Sequence, residues 1–395
     1  MNKRSLINLV KYNGSIYNLY YRFGSFCVRL LGKFVSQKKN RIVFSSFGGR
    51  RYDDSPRCIY EAMLLDPRFK DYEFVWALGS PNDFIIPGAK KVKCDSFAYY
   101  KVLLSASVWI SNSGMERGLS FKPATIFNLD TWHGSAIKHI GKDQGNTDLG
   151  KRIKESHNDI MLAQSKYDIS IFSRVFNVPK ENFRMIGLPR NDELVNCNSA
   201  SNRRHIRENL GIKEGKKVLL YAPTFREYDR DENQNCRLGV SLDLTKWERE
   251  LKEEFVLLIR AHYEVVKSLT FDDNDFVKDV SKYQNLNELM IVSDILISDY
   301  SSIFFDYAIL NKPMLCFAYD FDRYIKERGL YFDIREMLEG NSNNEDELIN
   351  AIKGLDIKKA IGITSRFRET FVEEYGNASK LCVDIVWKYL KGEKY

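Results

Sequence analysis

Short apolar runs of strand length recur along the whole chain, separated by polar or helix-compatible segments. In the first half they are RIVFSSF (41–47), YEFVWAL (72–78), SVWIS (107–111), TIFNLD (125–130), DIMLAQS (159–165) and FRMIG (183–187). The second half has KVLLYAP (217–223), FVLLIRA (255–261), DFVKDV (275–280), DILIS (294–298) and PMLCFAY (313–319). A strand with one wet face alternates apolar and polar residues, whereas near-continuous apolar runs belong to strands covered on both faces. Helix-like segments such as Arg57–Leu65 and Phe97–Ser105 fall between them, which predicts an α/β fold built on parallel sheets. A chain of 395 residues exceeds one ordinary core, so two domains are expected. The boundaries read from the sequence are a basic helical segment over 1–40 and Rossmann-like halves over 41–195 and 196–365. A C-terminal helix within 366–395 is expected to pack back on the first half. The polar stretch NCNSASNRRHIREN (196–209) is the expected crossing, and the acidic GNSNNEDE (340–347) reads as a loop.

Charge is informative once divided. Of the net +7, residues 1–40 contribute +8 with no Asp or Glu, and the remainder carries −1. Ile16, Leu19, Tyr20, Phe23, Cys27, Leu30, Leu31 and Phe34 follow helical spacing, with Arg22, Arg29 and Lys33 away from them. That pattern fits either a helix lying on an anionic membrane surface or one docked on the protein's own core. A secretory leader is not expected, and no apolar run is long enough to span a bilayer. Seven scattered cysteines without a CxxC pair point away from a disulfide framework or zinc ribbon, and toward a reducing compartment. The slightly acidic body argues against nucleic-acid binding.

Four strand ends carry the chemistry. TWHGSAIKHIGKD (131–143) places His133 before Gly134, with Ser135 and Lys138 as further donors for an anionic ligand. His133 titrates near neutrality and can take a hydroxyl proton, and His139, four residues after Ser135, is expected on the same helix face. ISDYSSIFFDY (297–307) ends a strand at Asp299 and starts a helix near Ser301 and Ser302, where free N–H groups suit a phosphate. One serine there is equally able to cap the helix, and Asp299 either orients a ligand hydroxyl or accepts from a backbone amide. Thr224 and Arg226 follow YAP, and Arg260 and His262 alternate at the end of LIRAHY (258–263), so both point one way. Each pair binds phosphate oxygens or loop carbonyls. GLPRND (187–192) adds Arg190. DFD (320–322) is discounted as a metal motif, so no metal or cofactor is expected, and zinc-hydrolase and P-loop patterns are missing from the sequence.

In order and wording these strings resemble the CDP-glycerol glycerophosphotransferase family over roughly residues 40–390. The resemblance implies a GT-B fold, two Rossmann-like domains with the site in a cleft between them. It also implies transfer of a polyol phosphate from CDP-glycerol, or CDP-ribitol, to a lipid-linked or polymeric acceptor with release of CMP. Such reactions build teichoic-acid or capsule-type polymers at the cytoplasmic face of the membrane. By position, His133 matches the family's base and His262 its phosphate-contacting histidine. Where many members read HGTPLK this chain has HGSAIK, without the proline, and its length is expected to place it nearer members that add a first or few units. Two other classes fit the pattern: a glycosyltransferase using a nucleotide sugar, which would release a nucleoside diphosphate, and a non-catalytic membrane scaffold.

Overall fold

A computed structural model describes residues 13–144, 156–224, 226, 242–261 and 273–394. The chain divides into two compact units. Unit 1 comprises residues 1–133, 140–192 and 377–395; unit 2 comprises 134–139 and 193–376.

Unit 1 holds a seven-stranded parallel sheet in the order β3-β2-β1-β4-β5-β6-β7. The strands are β1 Arg41–Ser45, β2 Glu73–Leu78, β3 Ala89–Lys93, β4 Val108–Ser111, β5 Phe127–Asp130, β6 Ile160–Ala163 and β7 Phe183–Met185. Ile42, Phe44, Trp76, Ile110 and Leu129 pack one face, and Val43, Val75 and Trp109 the other, so successive side chains fill opposite cores. This two-sided burial is why those segments read as continuous apolar runs. Strand β3 (AKKVK) escapes that pattern because, as an edge strand with one neighbour, it buries Val92 and leaves its lysines wet.

The C-terminal helix Ala378–Lys391 belongs to unit 1. Cys382, Val383 and Val386 enter the core, and Tyr389 stacks on Phe127 with ring centroids 4.4 Å apart. Asp192 caps its start, accepting from the amides of Ala378 at 2.9 Å and Ser379 at 2.7 Å. Burial of Val383 and Val386 alone contributes roughly 1.5–3 kcal/mol each.

Unit 2 repeats the plan with β8 Lys217–Tyr221, β9 Phe255–Ile259, β10 Val277–Asp279, β11 Ile295–Ser298, β12 Met314–Phe317 and β13 Glu339–Ser342. All pairings are parallel, in the order β10-β9-β8-β11-β12-β13. The stretch 340–347 is therefore not a loop. It completes edge strand β13, after which Asn344 caps the helix Glu345–Lys353 by accepting from the Glu347 amide. Its three acids occupy that helix's first turn, where they complement the dipole. The stretch 196–209 lies within unit 2, the division falling between Asp192 and Glu193. Residues Ala200–Asn209 form a helix capped by Ser199 that buries only Ile206, which explains its loop-like polarity.

The helix Gly14–Gly32 rests on unit 1 through small residues: Gly24 and Gly32 let Leu119 and Leu104 approach, and Ser25 Oγ accepts from the Ser120 amide at 2.9 Å. Its outward side carries Leu19, 70% exposed, Phe23, 65%, Phe26, 58%, and Leu30, 43%, followed by Phe34, 80%.

Candidate active site

In an open α/β sheet a ligand site forms beyond the strand carboxyl ends, where the strand order reverses. In unit 1 that point is between β1 and β4, and the loops after β1, β4 and β5 meet there. His133 is the third residue after β5. Its Nδ1 lies 2.7 Å from the Asn112 carbonyl, which only accepts, so Nδ1 carries the proton and Nε2 keeps its lone pair. Burial holds the imidazole below its ordinary pKa, with the Asn112 bond opposing that shift and the nearby Arg190 and Arg50 charges adding to it. A neutral ring with an available Nε2 is what a general base requires at neutral pH.

The residues around His133 hold it in place. Fully buried Asn112 accepts the Phe47 amide on Oδ1 at 2.7 Å, tying the β1 and β4 loops together. The Phe47 ring lies 5.8 Å from the His133 ring, and the Trp132 ring 3.9 Å. Trp132 has φ 49°, and its amide donates to Asp130 Oδ1 at 2.8 Å, which offsets part of the strain of that conformation. Burial pushes the Asp130 carboxyl up to about 6 against the hydrogen bonds from Trp132 and Asn158. Arg190 Nη1 donates to the His133 carbonyl at 2.6 Å and to Asp54 Oδ2 at 3.1 Å. Arg190 thus grips the His133 backbone.

From Gly134 to His139 the chain belongs to unit 2. Gly134 has φ 134°, a conformation that needs glycine. The expected helix bearing Ser135 and His139 on one face is not formed. The segment runs extended, with Lys138 bridging Leu330, the Tyr331 amide donating to the Ile137 carbonyl and the His139 amide to that of Gly329. This pairing uses the His139 amide and the Ile137 carbonyl. Ser135 is buried and Lys138 half-buried.

In unit 2 the order reverses between β8 and β11. Thr224 and Arg226 follow β8, and Asp299, Ser301 and Ser302 follow β11. Asp299 Oδ1 accepts from the amides of Thr224 at 2.9 Å and Tyr300 at 2.7 Å, which is the backbone-accepting alternative read from the sequence. Arg226, only 1% exposed, donates through Nη1 to Asp299 Oδ2 at 2.8 Å. It forks onto Asp320 through Nε at 2.7 Å and Nη2 at 2.9 Å. The rings of Tyr300, Tyr319 and Tyr324 lie 5.3, 5.2 and 5.1 Å from its guanidinium. Asp320 is the first acid of the DFD string, so that carboxylate serves the arginine.

Arg260 Nη1 donates to the carbonyls of Val280 and Tyr283. The Thr224 hydroxyl is buried with no partner among the described residues. Ser301 Oγ accepts from the Ile303 amide at 3.3 Å, whereas Ser302 caps the short helix Ile303–Ala308 without a side-chain bond. Phe304, Phe305 and Ala308 are fully buried beneath it. His262 lies outside the described residues.

The structure therefore brings His133, Arg190 and the unit 1 strand ends together, and separately Thr224, Arg226, Asp299, Ser301 and Ser302. Sequence reasoning missed Asn112, Asp54 and Asp130. Two of these were marked only by being a polar residue at a strand end, in WISN and FNLD.

The profile of the CDP-Glycerol:Poly(glycerophosphate) glycerophosphotransferase family matches residues 28–388. A teichoic acid poly(glycerol phosphate) polymerase of Staphylococcus epidermidis is 34% identical over 90% of this chain, which spans about half (51%) of that protein's length. A teichoic acid glycerol-phosphate transferase of Staphylococcus aureus is 32% identical over 91% of this chain and 95% of its own. The solved wall teichoic acid polymerase TagF superposes with a TM-score of 0.84 at 32% identity, covering 99% of both chains, and a variant of it has been solved after a CDPG soak. The match along nearly the whole chain, together with the two parallel-sheet units and their strand-end residues, places this protein in the CDP-glycerol:poly(glycerophosphate) glycerophosphotransferase family.

Proposed function

We propose that this protein transfers glycerol phosphate from CDP-glycerol to a hydroxyl of a lipid-linked or polymeric acceptor, releasing CMP, in the synthesis of a teichoic-acid-type surface polymer. The observation that carries the reading is His133, held neutral, with Nδ1–H on the Asn112 carbonyl and Nε2 left to act as base. The acceptor oxygen, losing its proton to Nε2, attacks the phosphorus that bears glycerol. The phosphoanhydride bond to CMP breaks, and CMP departs with the bonding electrons as a phosphate. In this reading unit 1 receives the acceptor and unit 2 the donor. Thr224, Ser301, Ser302, Arg260 and His262 contact the pyrophosphate, and Asp299 and Arg226 shape the loops beneath it. Stabilising charge on the leaving phosphate is the larger electrostatic task in such a transfer.

The test is to incubate the purified protein with CDP-glycerol, CDP-ribitol or UDP-sugars and a soluble acceptor analogue, then identify the nucleotide released. CMP from CDP-glycerol is expected. CMP from CDP-ribitol alone reassigns the donor, and UDP release overturns the reading in favour of sugar transfer.

The N-terminal helix supports work at the cytoplasmic face of an anionic membrane. Leu19, Phe23, Phe26, Leu30 and Phe34 face away from unit 1, and at 100° per residue Arg22, Arg29 and Lys33 border that apolar arc. No helix among the described residues is long and apolar enough to cross a bilayer. The protein is expected to sediment with anionic liposomes and lose binding in high salt. Replacing exposed Leu19, Phe23 and Phe34 with Ser should abolish sedimentation, and unaltered sedimentation would refute the anchor.

A further inference from the structure

A cavity of about 400 Å³ opens in unit 1 beyond the carboxyl ends of β1 to β4. Its size lies in the range of small-molecule sites. Gly48, Gly49 and Arg50 after β1, Gly79 after β2, Lys93 at the end of β3 and Arg117 after β4 form its walls. It adjoins the base through Phe47, which precedes Gly48 and touches both the His133 ring and the Asn112 side chain.

The walls are built rather than incidental. Arg117 forks onto Asp95 at 2.8 and 2.9 Å and donates through Nη1 to the Gly48 carbonyl at 3.0 Å. The Gly79 amide donates to the Gly49 carbonyl at 2.7 Å, and a Cβ on Gly49 would lie 2.5 Å from Cys94 Sγ. Of the seven non-glycine residues with positive φ among the described residues, Phe47, Asp95 and Arg117 follow β1, β3 and β4, Asp54 starts the helix Asp54–Leu65, and Trp132 follows β5. Strain of that kind gathers where a loop must hold one shape.

The unspent chemistry of the lining is specific. Arg50 and Lys93 are exposed, and neither has an ion-pair partner among the described residues; Asp83, also lining the cavity, has none either. Two unneutralised cations fit the oxygens of a phosphodiester, and a single carboxylate fits a hydroxyl. An acceptor made of polyol phosphates offers both groups one repeat away from the hydroxyl being extended.

Resting on the transfer reaction proposed above, we propose that this cavity is an acceptor subsite. It holds the phosphodiester next to the reacting hydroxyl, with Arg50 and Lys93 on the phosphate and Asp83 on a polyol hydroxyl. Occupancy there orients the chain end toward His133 and selects acceptors that already carry a phosphodiester.

The probe is glycerophosphoglycerol, two glycerols joined by one phosphodiester, titrated calorimetrically into the full-length protein. Arg50→Ala and Lys93→Ala should each weaken its binding roughly tenfold, the scale of one lost charge-assisted hydrogen bond. Ser80→Trp, at an exposed position of the lining, should fill the cavity and abolish binding. CDP-glycerol affinity should remain at the parent value in all three, which also reports that they fold. An absence of diester binding by the parent protein, diester affinity unchanged in the variants, or a parallel loss of CDP-glycerol affinity would each overturn the subsite. The two readings fail separately. Diester binding lost in the variants without CMP release by the parent refutes the reaction but keeps the subsite. CMP release with unchanged acceptor KM in the variants refutes the subsite but keeps the reaction.

Discussion

Units 1 and 2 share a strand order around their reversal points yet use the strand ends in opposite ways. In unit 1 the loops meet at an uncharged histidine, and the groups around it position it: a carbonyl on Nδ1, an arginine on its backbone oxygen, aromatic rings beside it. In unit 2 the strongest charge is turned inward, where Arg226 is neutralised by Asp299 and Asp320 inside a cage of tyrosines. The first arrangement leaves an atom available for chemistry, whereas the second leaves almost none on the arginine itself. The same topology thus supplies a neutral histidine held by its neighbours in one unit and a neutralised arginine in the other. An arginine after a strand is evidence for neither role until its partners are known.

The most severe way to break this contrast is Arg226→Ala. It removes the arginine from buried Asp299 and half-buried Asp320 and should destabilise the protein by about 3–5 kcal/mol, read by denaturant unfolding. A small loss of stability with a large loss of donor affinity would make Arg226 a ligand residue after all.

His133→Ala should do the reverse, lowering turnover by at least about a hundredfold while leaving donor affinity and stability near those of the parent. Because burial lowers the His133 pKa, kcat/KM should fall only as pH drops below the ordinary imidazole value near 6.5. Asp54→Asn removes a charge that raises that pKa, so the acid limb should move to still lower pH; a limb that stays put would separate Asp54 from the base.

The smallest effect sharpens the comparison by asking whether unit 1 tolerates charge at its strand ends. The Asp130 pKa is raised to about 6 in the folded protein, so the group favours folding most below its unfolded value near 3.9. That contribution is lost as pH rises through about 6. Asp130→Asn should therefore raise the melting temperature by a few degrees at pH 8, by about half as much at pH 5 and by little at pH 3. An equal change at all three pH values would mean that burial of the charge is not what the substitution relieves.

Much of the fold was legible because two-faced burial writes itself as apolar runs. Where burial is one-sided, as at AKKVK in β3, the pattern vanished, and edge strand β13 (EGNS) carries no apolar run to read. His133 was legible through Gly134, whose φ only glycine supplies easily. Asn112 was not, because it fixes the histidine's tautomer with its backbone carbonyl, an atom every residue owns. Arg226 donates to the Thr224 carbonyl at 2.6 Å, the loop-carbonyl alternative read from the sequence, but its neutralising carboxylates were not legible, because they lie 73 and 94 residues further along the chain. Spacing in sequence carries no trace of such a pair.

The cap that Asp192 places on Ala378 and Ser379 also sets a timetable. Those partners are 186 and 187 residues apart, and between them lies nearly the whole of unit 2. A ribosome adding about 5–20 residues per second needs on the order of ten to forty seconds to cover that interval. Throughout it, the patch of the unit 1 core that receives Cys382, Val383 and Val386 has no cover, although every strand of that sheet has already been made. The unit begun first is thus completed last, and a nascent chain stalled before residue 378 exposes an apolar face that a chaperone, or a neighbouring nascent chain, can occupy.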